Sequence, residues 1–265
     1  MFALPFGSRL NGGALVWRNQ GVQTPVLPRA TEHYKRCGGS ATLPGMIVTI
    51  DGPAGSGKST AARELATRLA IAYLDTGAMY RAVTLKALRE QVDMTDDAAL
   101  VDVARRADIR LIPERDGLCV LLDGRDVSRE IRSAEVTAGA RHPAACPEVR
   151  AIMVELQRRV GAELGSFVTE GRDQGSVVFP QADVKFFLDA DPKVRARRRV
   201  EEMAGAGQPA DYESVLAAIL DRDQRDRSRP VAPLVRPEGG ICIDTTDLGI
   251  AEMAEEMLCR VEQRR

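Results

Sequence analysis

From Met46 onward, segments with the hydrophobic pattern of β-strands alternate with segments that have the pattern of α-helices. Short apolar runs predict β-strands at Met46–Ile50, Ala72–Asp75, Phe167–Glu170, Val184–Leu188 and Ile241–Asp244. Apolar residues at helical spacing predict α-helices at Thr60–Leu69, Thr76–Arg89, Ala98–Ala107, Pro147–Leu164, Pro192–Met203, Tyr212–Ser228 and Ile250–Arg260.

Strands that alternate with helices in this way predict an α/β fold with a five-stranded parallel sheet covered by helices on both faces. Such sheets bind ligands at the carboxyl ends of their strands. The candidate site therefore consists of the segments that follow the strands, namely Asp51–Ser59, Asp75–Arg81, Gly171–Gly175 and Asp189. A small antiparallel ribbon is predicted at Ile109–Ile112 and Leu118–Leu122, as an insertion between the second and third core strands.

Residues 1–45 have a different character from the rest of the chain. They contain two Gly-Gly pairs and no sustained periodicity, which predicts a disordered extension. The apolar segment typical of a secretory signal does not follow the N-terminus. Because Met46 stands immediately before the first strand, we hypothesise that translation starts there or that the extension is dispensable.

Composition and charge exclude several classes of function. The 265 residues are 44% hydrophobic and 28% charged, which fits one globular domain with small inserted subdomains. The net charge of −1 gives no overall field that attracts nucleic acid or an anionic membrane, and no stretch approaches the length of a transmembrane span. Five scattered cysteines favour reduced thiols in a cytoplasm, with Cys242 predicted in the core. Two histidines disfavour a histidine triad or a multi-histidine metal site.

One short motif carries most of the chemical information. Gly52–Ser59 reads GPAGSGKS and fits G-x-x-x-x-G-K-[ST], the phosphate-binding loop of nucleotide-handling proteins. Its glycines let backbone N–H groups surround an anion, Lys58 can reach the outer phosphates, and the Ser59 hydroxyl can bind Mg²⁺. The motif lies between a predicted strand and a predicted helix, so the helix N-terminus would face the phosphates. An ordinary glycine-rich turn is the alternative interpretation.

Arginines are concentrated at the other strand ends and on two later helices. Arg81 lies in DTGAMYR after the second strand, and Arg172 lies in EGRD after the third. Arg222, Asp226 and Arg229 share one face of a predicted helix. Guanidinium groups bind phosphate bidentately, whereas the alternative is a solvated helix with i,i+4 ion pairs.

A second arginine-rich helix contains Arg195, Arg198 and Arg199, and the Gly/Pro-containing connector Gly205–Ala210 joins it to the next helix. The pair of helices is interpreted as a mobile lid. Several carboxylates could bind Mg²⁺ or the substrate, and the sequence does not rank them: Asp51, Asp75, Glu170 and Asp173.

Together these segments resemble the bacterial cytidylate kinase family. The resemblance rests on DGPAGSGKST, YLDTGAMYRAV, IRSAEV, EGRDQGSVVFP, RDQRDRSRPVAPL and IDTTDL, in that order from about Ile47 to Val261. It implies a P-loop NTPase fold in residues 46–265, with a monophosphate-binding insertion at about 76–164 and a short lid at about 195–230. It also implies ATP-dependent phosphorylation of CMP and dCMP to CDP and dCDP with Mg²⁺, by a cytoplasmic monomer. A P-loop kinase for another small phosphate acceptor such as UMP is the alternative.

The resemblance further implies roles for individual residues. ATP would be bound by the phosphate-loop residues Gly52, Pro53, Ala54, Gly55, Ser56, Gly57, Lys58, Ser59 and Thr60, with Ser59 on the metal. The acceptor nucleotide would be bound by Asp75, Thr76, Arg81, Arg150, Arg172, Asp173, Arg222, Asp226 and Arg229. Of these, Arg81, Arg172 and Arg229 would bind its phosphate, Arg222 and Asp226 its ribose, and Arg150 and Asp173 its cytosine. The catalytic groups would be Lys58, Arg172, Arg195 and Arg198.

The chain departs from the family pattern at four positions. Arg141 stands where a serine that touches cytosine is usual, and it adds a bulky cation at a base-reading position. Glu170 and Thr76 keep the chemical type of the usual Asp and Ser, whereas Gln174 replaces a common methionine.

Two functions from other classes are disfavoured. A nucleotide-dependent switch is disfavoured because the chain contains no N-K-x-D guanine-reading segment and its arginines suit an acceptor anion. A nucleic-acid-dependent ATPase is disfavoured by the net charge of −1 and the 4% aromatic content.

Deletion of residues 2–45 tests the hypothesis about the N-terminal segment. The predicted sheet begins at Met46 and the phosphate loop at Gly52, so both lie outside the deleted segment. We therefore expect the thermal unfolding midpoint and the enzymatic turnover to stay unchanged. Loss of folding or of activity in the shortened chain would contradict the hypothesis.

Overall fold

The structure is a computed structural model that describes residues 45–114, 117–205 and 207–264. The extension predicted for residues 1–45 lies outside the described residues except for Gly45, so this prediction is not tested. Among the described residues, no helix is both long and apolar enough to cross a membrane.

The regular elements are numbered in chain order. The strands are β1 (Ile47–Asp51), β2 (Ala72–Asp75), β3 (Ile109–Glu114), β4 (Gly117–Leu122), β5 (Arg125–Asp126), β6 (Phe167–Gly171), β7 (Val184–Asp189) and β8 (Ile241–Asp244). The helices are α1 (Lys58–Leu69), α2 (Thr76–Arg89), α3 (Asp97–Arg106), α4 (Ala134–Gly139), α5 (Arg141–Ala145), α6 (Pro147–Leu164), α7 (Pro192–Gly205), α8 (Tyr212–Ser228) and α9 (Ile250–Glu262).

The chain divides into two compact units. The core unit consists of the described residues up to Ala78 and those from Gly165 onward, and the insert unit consists of Met79–Leu164. The insert unit contains most of α2, all of α3 to α6 and the antiparallel sheet β3-β4-β5. Monophosphate binding by the insertion at about 76–164 stays a prediction.

A parallel sheet of order β2-β6-β1-β7-β8 forms the centre of the core unit. The predicted α/β fold with a five-stranded parallel sheet is therefore confirmed. β1 lies in the middle, paired with β6 from Ile47–Phe167 to Asp51–Gly171 and with β7 on its other side. This position explains why β1 is apolar throughout, since a central parallel strand is buried on both faces.

Helices α1 and α9 pack against one face of this sheet. The buried residues of α1 recur at helical spacing, at Ala61, Ala62, Leu65, Ala66 and Leu69. They share one apolar cluster with residues of β1 and β7 and with Met253, Met257 and Val261 of α9. The cluster fixes α1 relative to β1, and the loop between these two elements is therefore held at both ends.

The structure differs from the sequence prediction in two instructive places. Cys242 was predicted in the core and is exposed, because β8 is an edge strand whose burial alternates and Ile243 takes the inward position. The short helices α4 and α5 were not predicted, since five or six residues are too few to show a helical period.

Candidate active site

The phosphate loop leaves β1 at Gly52 and enters α1 after Gly57. Gly52 has φ 149°, and a Cβ at this position would lie 2.0 Å from the backbone oxygen of Leu188, so only glycine lets the loop pass β7. Gly57 adopts the left-handed conformation with φ 85° and offers no side chain to cap α1. The first turn of α1 therefore has no side-chain cap on its N–H groups, and a helix terminus of this kind is suited to bind an anion.

Lys58 lies inside this loop and is only 5% exposed. Its Nζ donates hydrogen bonds to the backbone oxygen of Pro53 at 2.6 Å and to Oγ of Ser56 at 3.5 Å. Burial lowers the pKa of Lys58 well below its usual value, and the positive charges of Arg172 and Arg222 act in the same direction, against Glu170 and Asp51. The cationic surroundings would be neutralised by a bound polyphosphate, which would in turn favour the charged form of the lysine.

The Ser59 hydroxyl donates a hydrogen bond to Oε1 of Glu170 at 2.7 Å. The Tyr73 hydroxyl donates to the same oxygen at 3.4 Å. A hydroxyl oxygen and a carboxylate oxygen in contact form a donor set that suits Mg²⁺, which prefers hard oxygen ligands and keeps several water molecules. The sequence did not rank the four candidate carboxylates, and this contact favours Glu170 among them as a candidate ligand of Mg²⁺.

Asp51 is fully buried and connects the end of β1 to the turn after β6. Its two carboxylate oxygens accept hydrogen bonds from the backbone N–H groups of Gln174, at 2.8 Å, and Gly175, at 2.7 Å. Burial raises the pKa of Asp51 to about 7, and these two N–H groups only partly oppose the rise. The end of β1 is thereby joined to the turn that follows β6, which carries Arg172 and Asp173.

Asp75 and Thr76, predicted to bind the acceptor, are both buried at the start of α2. Oδ1 of Asp75 accepts from the backbone N–H of Ala78 at 2.9 Å, as an N-terminal cap does. The Thr76 hydroxyl donates to the backbone oxygen of Glu170 at 2.8 Å. Both residues therefore brace the ends of β2 and β6, and their predicted contact with the acceptor stays a prediction.

The core unit brings Arg172, Arg222 and Arg229 to a common carboxylate. Nε of Arg172 donates to Oδ2 of Asp226 at 2.9 Å, and Nε of Arg222 lies 4.0 Å from the same oxygen. Burial would raise the pKa of Asp226, but Arg172, Arg222 and Arg229 outweigh it and hold the pKa below its usual value. Nε of Arg229 donates to the backbone oxygen of Ala232. One ionised carboxylate thus orients guanidinium groups from the turn after β6 and from α8.

Arg195 and Arg198, predicted to touch the transferred phosphoryl group, make several protein contacts. Arg195 is buried and donates to the backbone oxygens of Ala190 and Ala54 and to Asp223. Arg198 donates to three backbone oxygens of the turn between β8 and α9, those of Thr245, Thr246 and Leu248. Their predicted contact with phosphate stays a prediction. Asp223 was not among the predicted site residues. It lies in a run of alternating charges, Asp221–Arg229, and such a run does not show which carboxylate is buried.

Arg81, Arg141 and Arg150 belong to the insert unit. Arg150 is buried, lies 6.0 Å from the ring centre of Tyr80 and donates to the backbone oxygen of Ala144 at 3.2 Å. Arg141 is exposed and donates to Nε2 of His142. Arg81 is half-buried. The proposed cytosine and phosphate contacts of these residues stay predictions.

Comparison with known proteins gives a consistent result. The family profile described as "Cytidylate kinase" matches residues 48–263. A cytidylate kinase of Caldanaerobacter subterraneus subsp. tengcongensis is 50% identical over 79% of this chain and 92% of its own length. A cytidylate kinase of Desulforamulus reducens is 46% identical over 82% of this chain and 96% of its own length. A third, of Mannheimia succiniciproducens, is 42% identical over 83% of this chain and 97% of its own length.

The substitution Asp51→Asn tests the link between β1 and the turn after β6. An asparagine keeps one acceptor oxygen and sets an NH₂ group against a backbone N–H, so we expect the free energy of unfolding to fall by about 1–3 kcal/mol. The folded-state pKa of Asp51, about 7, exceeds its ordinary value of 3.8. The carboxyl therefore contributes most below about pH 4 and loses that contribution as the pH rises to about 7.

Urea unfolding of wild type and Asp51→Asn at pH 5 and pH 8 measures both effects. The difference between the two proteins should be larger at pH 5. Asp247→Asn, which changes an exposed aspartate, is the control and should match wild type at both values. Equal stability of Asp51→Asn and wild type at pH 5 would contradict this account.

Proposed function

The chain belongs to the cytidylate kinase family, and on this premise we propose that it transfers the γ-phosphoryl group of ATP to CMP and dCMP. Among the described residues and the related proteins nothing favours the alternative acceptor UMP. We further propose that it acts in the cytoplasm as a monomer.

One observation supports phosphoryl transfer most strongly. In the core unit, a buried lysine of the phosphate loop has its pKa lowered by burial and then by arginines of the turn after β6 and of α8. Positive charge from three separate elements is therefore concentrated around one loop. A reaction that moves a phosphoryl group between two anionic nucleotides needs such a concentration, because charge develops on the oxygens of the transferred group.

In the proposed mechanism, the loop Gly52–Thr60 binds the ATP phosphates through backbone N–H groups and the Lys58 ammonium. Lys58 exchanges its hydrogen bond with the Pro53 oxygen for bonds to phosphate oxygens. The oxygens of Ser59 and Glu170 would hold Mg²⁺, directly or through water, and the metal would supply further charge neutralisation.

We propose the following roles in acceptor binding. In the core unit we assign Arg172 and Arg229 to its phosphate, Arg222 and Asp226 to its ribose, and Asp173 to its base. Asp75, Thr76, Arg81 and Arg150 complete the proposed set. The acceptor phosphate is an anion at neutral pH and attacks without a strong general base, so catalysis consists of positioning and charge neutralisation.

The segment at about 195–230, which contains most of α7 and all of α8, is proposed as the lid. Its closure would exclude water and so suppress hydrolysis of ATP. Arg195 and Arg198 are the lid arginines proposed to approach the transferred group.

A panel of acceptors tests the proposed function. Purified protein is given ATP and Mg²⁺ with CMP, dCMP, UMP, AMP or no acceptor, and the release of ADP is measured. We expect CMP and dCMP to be phosphorylated and the others to react at least about tenfold more slowly, since a polar base-reading site rejects wrong hydrogen-bonding groups. Preference for UMP would overturn the assignment in favour of the alternative.

The variants Lys58→Ala and Arg172→Ala test the assigned roles. Each removes a cation that would stabilise the transition state, so we expect turnover to fall by a factor of about 100 or more. The thermal unfolding midpoint should change little. Arg260→Ala, which removes an exposed arginine of α9, is the matched control and should keep wild-type turnover. Near-normal turnover of both Lys58→Ala and Arg172→Ala would contradict the roles.

A further inference from the structure

Arg195 and Asp223 form a deeply buried ion pair in the core unit. Their side chains are 2% and 9% exposed, and Nη2 of Arg195 lies 2.6 Å from Oδ2 of Asp223. The same guanidinium donates to the backbone oxygen of Ala190 at 2.9 Å and to that of Ala54 at 3.0 Å. One side chain of α7 therefore connects the end of β7, the phosphate loop and helix α8.

Helix α8 carries the residues proposed to bind the acceptor. Asp223 is the neighbour of Arg222 and lies one helical turn before Asp226. Asp226 accepts a hydrogen bond from Arg172 at 2.9 Å. The helix is thus connected at two points one turn apart, at Asp223 through Arg195 to the phosphate loop and at Asp226 to Arg172 in the turn after β6.

A buried ion pair of this kind contributes little net stability. Desolvation of two charges offsets much of their attraction, and a well-packed apolar pair of similar volume often stabilises a fold as well or better. The pair also uses only one oxygen of Asp223, because Oδ1 is buried without a hydrogen-bond partner among the described residues. A directional contact to Ala54 in the phosphate loop is what the ionic pair adds and an apolar pair would lack.

We propose that Asp223 is a positioning residue that, through Arg195, couples the phosphate loop to α8. A change in the loop when it binds a triphosphate moves the Ala54 oxygen, and Arg195 transmits the change to the helix that holds the acceptor. Occupation of one nucleotide site therefore alters the affinity of the other, and by linkage the effect is mutual. The inference rests on the proposed function.

The experiment measures the coupling between the two sites directly. CMP is titrated calorimetrically into the full chain with and without a saturating non-hydrolysable ATP analogue and Mg²⁺, and the ratio of the two dissociation constants is the coupling factor. We expect a wild-type factor of about 5 or more. Asp223→Asn, which keeps the shape and removes the charge, should bring the factor close to one.

Asp221→Asn is the matched control on the same helix. Asp221 is exposed and pairs with Arg225 on the surface, so this variant should keep the wild-type factor. The KM for CMP at saturating ATP should rise in Asp223→Asn while kcat changes less. A fall in kcat with unchanged coupling would instead indicate that the ion pair affects phosphoryl transfer alone, and it would overturn the positioning role.

A double variant separates coupling from stability. Arg195→Met with Asp223→Leu removes both charges, so the chain should remain folded with an unfolding midpoint near that of wild type. We expect its coupling factor to be close to one all the same. A wild-type factor in this double variant, or a factor of one in wild type, would overturn the proposal and leave the kinase function intact. Failure of wild type to phosphorylate CMP would refute the proposed function itself.

Discussion

The buried positive charge of Lys58 is the constraint on which the rest of the site depends. An ammonium group removed from water needs compensation, and within the loop it finds only the Pro53 oxygen and the Ser56 hydroxyl. Arg172 and Arg222 make its position less favourable, while Glu170 and Asp51 partly compensate. A bound polyphosphate would offset these repulsive charges, so the same arrangement that disfavours the charged lysine favours a polyphosphate in the loop.

The loop keeps this arrangement because other parts of the chain hold its carbonyl groups. The Thr245 hydroxyl donates to the backbone oxygen of Ser56 at 3.2 Å, and Arg195 donates to that of Ala54. Residues from the far end of the sequence thus orient the loop so that its N–H groups are left for a ligand. Preorganised donors cost no rearrangement when charge develops during a reaction, which is why such bracing matters for catalysis as well as for binding.

The sequence was sufficient for the sheet and the loop but not for the contacts around them. β1 and the motif that follows it were predictable, because apolar runs and a glycine pattern are local signals. The Ser59–Glu170 contact joins residues 111 positions apart, and the Arg195–Asp223 pair depends on how α7 packs against α8. Charge runs do not tell which carboxylate is buried, since every member has the same local pattern. The exposure of Cys242 likewise follows from the position of β8 at the sheet edge.

The approach of Gly52 to the Leu188 oxygen has a consequence for how variants of this enzyme are interpreted. Gly52 belongs to the phosphate loop and also lies against β7, the strand that pairs with β1. A larger residue at this position would push β1 away from β7 whether or not a nucleotide is bound. Loss of activity in such a variant therefore reflects disruption of the sheet and is not a measure of nucleotide recognition. Substitutions at Gly52 are therefore expected to act as folding defects, whereas substitutions at Lys58 act on the binding and transfer of phosphate.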